Sequence, residues 1–128
     1  MNEVWTWNDG WILMSIYMVS KNNGAKLSAI IGAADASNHA IPTTNELSSA
    51  FTKLKQHEVL DIENDKFIIN SHYLNEIEKA YESRGGLFKT GDKGQKWLKK
   101  SKLLNMNESV ILVTEEQLST AYNEYTKK

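Results

Sequence analysis

The sequence predicts an α+β fold that is mostly α, in one domain spanning residues 1–128. Three observations lead there. Apolar residues recur at helical spacing in six stretches. A paired run of shorter period occurs once, at Val59–Ile62 and Phe67–Ile69, around the polar turn Glu63-Asn64-Asp65-Lys66, which is a hairpin signal. Turn-forming residues punctuate the stretches at short intervals and leave no room for a long linker. At 128 residues, 41% hydrophobic and 24% charged, the chain has the size and composition of one globular domain that folds without staples.

The first helix is read from Trp11, Ile12, Met14, Ile16, Met18 and Val19, with Asp9 as its N-cap, because a carboxylate there accepts bonds from unpaired backbone N–H groups. It is expected to end near Ser20, in Asn22-Asn23-Gly24. A second helix begins near Ala25 and carries Leu27, Ile30, Ile31 and Ala34. Pro42 stops it, since proline lacks an N–H and drives Ile41 toward extended geometry. Thr43-Thr44-Asn45-Glu46 then reads as a capping box with Thr43 as N-cap. Leu47, Phe51 and Leu54 give the third helix its buried stripe, and Ala50 permits a close neighbour.

After the hairpin a fourth helix covers about 73–83, with Leu74, Ile77 and Tyr81 inward, and Arg84-Gly85-Gly86 ends it. A fifth runs from about Asp92 to Lys102 with Trp97 and Leu98 as anchors. Val110–Val113 suits a short strand or a buried extended segment. Thr114-Glu115-Glu116-Gln117 is a second capping box, opening a last helix with Leu118, Ala121, Tyr122 and Tyr125. Residues 9–70 make the core of this reading, and 71–128 a mainly helical extension that is a candidate dimerisation arm.

Composition excludes several chemistries. There is no cysteine, hence no disulfide, thiolate metal site, iron–sulfur cluster or cysteine nucleophile. Apolar runs such as Trp11–Met14 fall far short of the about 20 residues a membrane span needs. Glu3 and Asp9 at the N-terminus are unlike a secretory signal, so the cytoplasm is the expected compartment. Net charge is −1 but unevenly spread: residues 1–84 carry −4, residues 85–104 carry +5 from six lysines against Asp92, and residues 105–128 carry −2.

The order helix, helix, turn, helix, hairpin within residues 9–70 resembles the winged helix-turn-helix superfamily, in particular small bacterial MarR-like and PadR-like regulators. Leu27–Asn70 carries the resemblance, above all the third helix running directly into His57-Glu58-Val59-Leu60-Asp61. Thr90-Gly91-Asp92-Lys93-Gly94 with Trp97-Leu98 is similar to the helix that follows the wing in those families. The resemblance implies a DNA-binding transcriptional regulator, a homodimer bound to double-stranded DNA. Its third helix would enter the major groove with Thr44, Asn45, Ser48, Ser49 and Thr52 toward base edges. Lys53, Lys55 and Gln56 would reach the backbone from further along.

Two features depart from that pattern. The wing tip Glu63-Asn64-Asp65-Lys66 carries net −1, where contact with phosphates favours cations. The third helix has no arginine, so bidentate readout of guanine is absent; the single arginine of the chain is Arg84. Both favour a second class of function, a winged-helix module that binds protein and does not touch DNA. A third helix buried under the C-terminal extension, or pointing away from the lysines, would favour it further. Lys93, Lys96 and Lys100 fall at i, i+3 and i+7 on one stripe, flanked by Lys89, Lys99 and Lys102. This stripe reads either as phosphate contacts or as a solvated face paired with the acidic remainder of the chain.

No catalytic constellation stands out, and the chain is not read as an enzyme. Asp35 and His39 are spaced i, i+4, but no second pair completes a metal site. There is no G-x-S-x-G elbow, and Gly85-Gly86 and Gly91/Gly94 lack the context of a phosphate loop. No cofactor and no metal ligand set is expected. Trp5, Trp7 and Trp11 near one end, with Tyr122 and Tyr125 near the other, are read as an interface rather than a ligand pocket, since aromatics are enriched in interface cores.

Overall fold

The computed structural model describes residues 4–20 and 24–127. Helix α1 (Trp7–Ser20) is its axis. Trp11, Ile12, Leu13, Met14 and Ile16 leave this helix no polar face along its middle, and all five are at most 2% exposed. A helix apolar all round must be enclosed, and here α2, α3, α4, α5 and β2 pack around it. Thr6, not Asp9, caps it. The Thr6 hydroxyl accepts from the Asp9 N–H (3.2 Å), and the Asp9 carboxylate accepts from the Thr6 N–H (2.9 Å). Asp9 therefore sits at the third helical position, and the helix starts three residues earlier than a cap at Asp9 would place it. The predicted turn at Asn22-Asn23 lies outside the described residues.

The tightest packing is between α1 and α5 (Thr90–Lys100), and glycine makes it possible. A Cβ on Gly94 would lie 2.6 Å from Gly10 Cα, and one on Gly10 would lie 2.8 Å from the Gly94 carbonyl carbon. A Cβ on Gly91 would enter the Trp7 indole. The two backbones thus touch directly, a function of these glycines that their scattered spacing did not reveal.

Helix α2 (Leu27–Asn38) begins two residues later than expected because Ala25 is bridged to the hairpin. Ala25 N–H donates to the Phe67 carbonyl (2.9 Å), and Phe67 N–H donates to the Ala25 carbonyl (2.8 Å). Helix α3 (Thr44–Gln56) carries the predicted capping box, with Glu46 N–H to Thr43 Oγ1 (3.1 Å) and Thr43 N–H to Glu46 Oε1 (2.8 Å). Its stripe of Leu47, Ala50, Phe51 and Leu54 is fully buried. Strands β1 (Leu60–Glu63) and β2 (Lys66–Ile69) pair antiparallel, Leu60 opposite Ile69 and Glu63 opposite Lys66. Asn64 and Asp65 both take positive φ (52° and 64°), as a two-residue hairpin turn requires. Phe67 stacks on Phe51 (4.3 Å between centroids), tying hairpin to α3.

Helix α4 (Ser71–Tyr81) is capped by the Asn70 side chain, and α6 (Glu115–Thr126) by the predicted Thr114/Gln117 box. The extension folds back on its own chain, with α5 on α1 and α4, and α6 on α2. Val110–Val113 is not a strand. It is an extended segment in which only Val113 is buried, while Val110 and Leu112 face outward. Trp5 and Trp11 close the chain's own core and Trp7 packs against it, so they do not form an open interface. Tyr125 lies across Gly32 of α2.

Candidate functional site

The outward side of α3 holds one row of small polar side chains at four-residue spacing: Thr44, Ser48, Thr52 and Gln56. Side chains so spaced lie above one another on a helix. Residues 106–115 run along this row in the opposite direction and bond to every member of it. The Gln56 carbonyl accepts from the Met106 N–H (2.8 Å), and its side-chain amide donates to the Ser109 carbonyl (3.1 Å). Thr52 Oγ1 donates to the Ile111 carbonyl (3.0 Å) and accepts from the Ile111 N–H (2.9 Å). Ser48 Oγ accepts from the Val113 N–H (2.8 Å), and the Thr44 hydroxyl donates to Glu115 Oε2 (3.1 Å). Asn107 adds a bond from its side-chain amide to the Lys55 carbonyl (3.2 Å).

This strap is held mainly by α3 side chains answering its backbone, not by a β ladder. Its inward residues alternate with outward Met106, Val110 and Leu112, which with Leu104 are each more than half exposed. Of the residues expected to read bases, Ser48 and Thr52 are engaged by the strap and half-buried, and Thr44 holds Glu115. Asn45 and Ser49 remain exposed.

The two α3 lysines are also committed. Lys53 turns back to α1, where its ammonium pairs with Asp9 and donates to the Val4 carbonyl (2.8 Å), 5.5 Å over the Trp5 ring. Asp9 is 1% exposed, so this is a buried charge with a nearly buried partner. Lys55 lies 3.4 Å from Asp61 of β1. Around the strap the charge is negative. Among the described residues, a hollow of about 610 Å³ between the hairpin, strap and α6 is lined by Asp65, Glu116 and Glu124, with Lys26 as the one cation facing them.

The lysines of α5 belong to a different region. Lys93, Lys96 and Lys100 line a groove of about 800 Å³ between α4 and α5, whereas the strap runs along α3. Both α3 and α5 pack on α1, which separates the two features. Lys93 is not a free contact: its ammonium donates to the Tyr81 and Gly85 carbonyls (both 2.8 Å) and ties down the end of α4. Lys96 and Lys100 are exposed. Asp35 and His39 do not converge on a metal. Asp35 accepts a hydrogen bond from the Tyr125 hydroxyl (2.8 Å), while His39 leaves α2 at φ 54° and lies beside Phe88 (5.0 Å). Among the described residues no group of three His, Asp or Glu side chains could hold a metal ion. The bond to Asp35 raises the Tyr125 phenol above its usual value; burial, with Glu78 and Glu82 nearby, raises that of Tyr17.

The chain matches no protein-family model, no curated protein and no solved structure.

Proposed function

We propose that this is a winged-helix protein whose task is to bind another protein rather than to read DNA. The element order supports the architectural part: α1, the Ala25–Phe67 bridge, α2, α3 and a hairpin wing follow the sequence of elements of a winged helix. One observation carries the functional part. The row Thr44, Ser48, Thr52 and Gln56 on α3, through which such a fold would meet a major groove, is bonded to residues 106–115 of the same chain. The surrounding Asp65, Glu116 and Glu124 would repel phosphates. No helix of the described residues is long and apolar enough to cross a membrane.

A second reading, a DNA-binding transcriptional regulator, has one observation in its favour. Asn45 and Ser49 stay exposed on the first turns of α3, the part of a recognition helix that meets base edges. A fluorescence-anisotropy titration with random duplex DNA, from low to physiological salt, separates the two. The protein-binding reading expects weak binding at most, unchanged in Asn45→Ala/Ser49→Ala. Loss of DNA affinity in that folded double variant would overturn it.

A further inference from the structure

The groove between α4 and α5 gathers cations to a degree that a solubilising surface does not require. Lys79 and Arg84 stand on its α4 side, and Lys89, Lys93, Lys96 and Lys100 on its α5 side. Six of the chain's 15 basic residues, including its single arginine, therefore line one groove in a protein of net charge −1. Among the described residues, two carboxylates face them. Glu76 accepts from the Trp97 indole N–H (3.3 Å), and Asp92 reaches Lys89 at 4.0 Å. Lys79, Arg84, Lys96 and Lys100 have no ion-pair partner among the described residues. Lysines three and four residues apart on one helix repel each other, so this clustering works against α5 as a helix unless an anion offsets it.

We propose that this groove is a binding site for an acidic peptide segment of a partner protein. The proposal rests on the protein-binding reading above and names where and what it binds. Three features favour a peptide over a nucleic acid. The floor is apolar, formed by Ala80 and Trp97 between the lysine stems, and it suits an apolar anchor flanked by carboxylates. Trp97 is only 7% exposed and its N–H is committed to Glu76, so too little of its ring is open to give bases a stacking platform. The site is also concave and short. The 11 residues of α5 span about 16 Å, the length of a few turns of helix or a short extended strand. Lys93, already bonded to two carbonyls, holds the α4 end in place, while Lys96, Lys100 and Arg84 supply the free charges.

The test uses the full chain and a fluorescein-labelled amphipathic acidic peptide, with Leu at helical spacing among Glu, read by anisotropy at two salt concentrations. Labelled duplex DNA and oligo-dT serve as competing probes. The proposal expects salt-sensitive peptide binding that Lys96→Glu/Lys100→Glu and Arg84→Glu each weaken at least about tenfold. Reversal of lysines outside the groove, Lys26→Glu and Lys127→Glu, should leave it within about twofold. Circular dichroism confirms that each variant is folded; Lys96→Gln/Lys100→Gln, which removes charge without repulsion, replaces the double reversal if that fails to fold. Absence of peptide binding at low salt overturns the groove proposal and leaves the protein-binding reading standing. Equal weakening by the outside reversals, or tighter binding of either nucleic acid, also overturns it. Duplex binding that depends on Asn45 and Ser49 overturns the reading beneath it instead.

Discussion

Thr52→Val removes the middle fastening of the strap with almost no change of side-chain shape. The Thr52 hydroxyl makes two bonds to one peptide group, donating to the Ile111 carbonyl and accepting from the Ile111 N–H. Valine can make neither. A net hydrogen bond contributes about 0.5–1.5 kcal/mol. Two of them give about 1–3 kcal/mol, and water reaching the half-buried Ile111 peptide brings the expected loss to about 1–2 kcal/mol. The loss should be local, because Val113 is the single buried strap residue and the core beneath α3 is untouched. Native-state amide exchange reads it directly. At about 1.4 kcal/mol per tenfold, the Ile111 amide should exchange about 5- to 30-fold faster. Amides of buried Phe51 and Leu54 should not change. Unaltered protection at Ile111, or an equal loss of protection at Phe51, would refute the idea of a separately fastened strap.

Gly94→Ala places a methyl 2.6 Å from Gly10 Cα, and neither backbone can yield without moving a helix. Overpacking of this kind costs about 1–3 kcal/mol or more, and the melting temperature should fall by at least about 3 °C. Lys53→Met leaves the Asp9 carboxylate buried without its cation. The expected cost is about 2–4 kcal/mol, somewhat below the about 3–5 kcal/mol for breaking a fully buried pair, because Lys53 retains some exposure. A urea midpoint measures that cost, and Asp9→Asn in the same background should recover part of it. Tyr17 and Tyr125 have folded-state values raised above 10.0, so the folded protein holds these protons more tightly than the unfolded chain. Their contribution to stability is complete below pH about 10 and is lost as pH rises through the raised values. In an ultraviolet phenolate titration, Asp35→Asn should move the Tyr125 transition downward.

What the sequence made legible follows from how local each signal is. Thr43 and Glu46 answer each other across one turn, and Pro42 acts on its own neighbours, so the start of α3 was readable. The same holds for Thr114 and Gln117 at α6. Two short apolar runs around the polar turn Glu63-Asn64-Asp65-Lys66 sufficed for the hairpin. Long-range partners were not readable. Thr44, Ser48, Thr52 and Gln56 have the composition of any solvated helix face, and nothing local marks them as acceptors and donors for a segment about 60 residues away. Val110–Val113 read as a short strand or a buried extended segment because four apolar residues in a row hide which alternate pair faces inward. The tryptophans were assigned outward for a similar reason, since only the fold shows α1 enclosed on all sides. Lys53 and Asp9 lie on different helices, and their pairing appears only when α1 and α3 are packed.

The central claim is that α3 does not read bases because its outward row is held by the chain's own strap. Selection of bound sequences from a random duplex DNA pool, using the 128-residue chain, tests it most directly. The account predicts no enriched motif, and the same flat outcome for Asn45→Ala/Ser49→Ala. Enrichment of a defined site that the double variant no longer selects would contradict it.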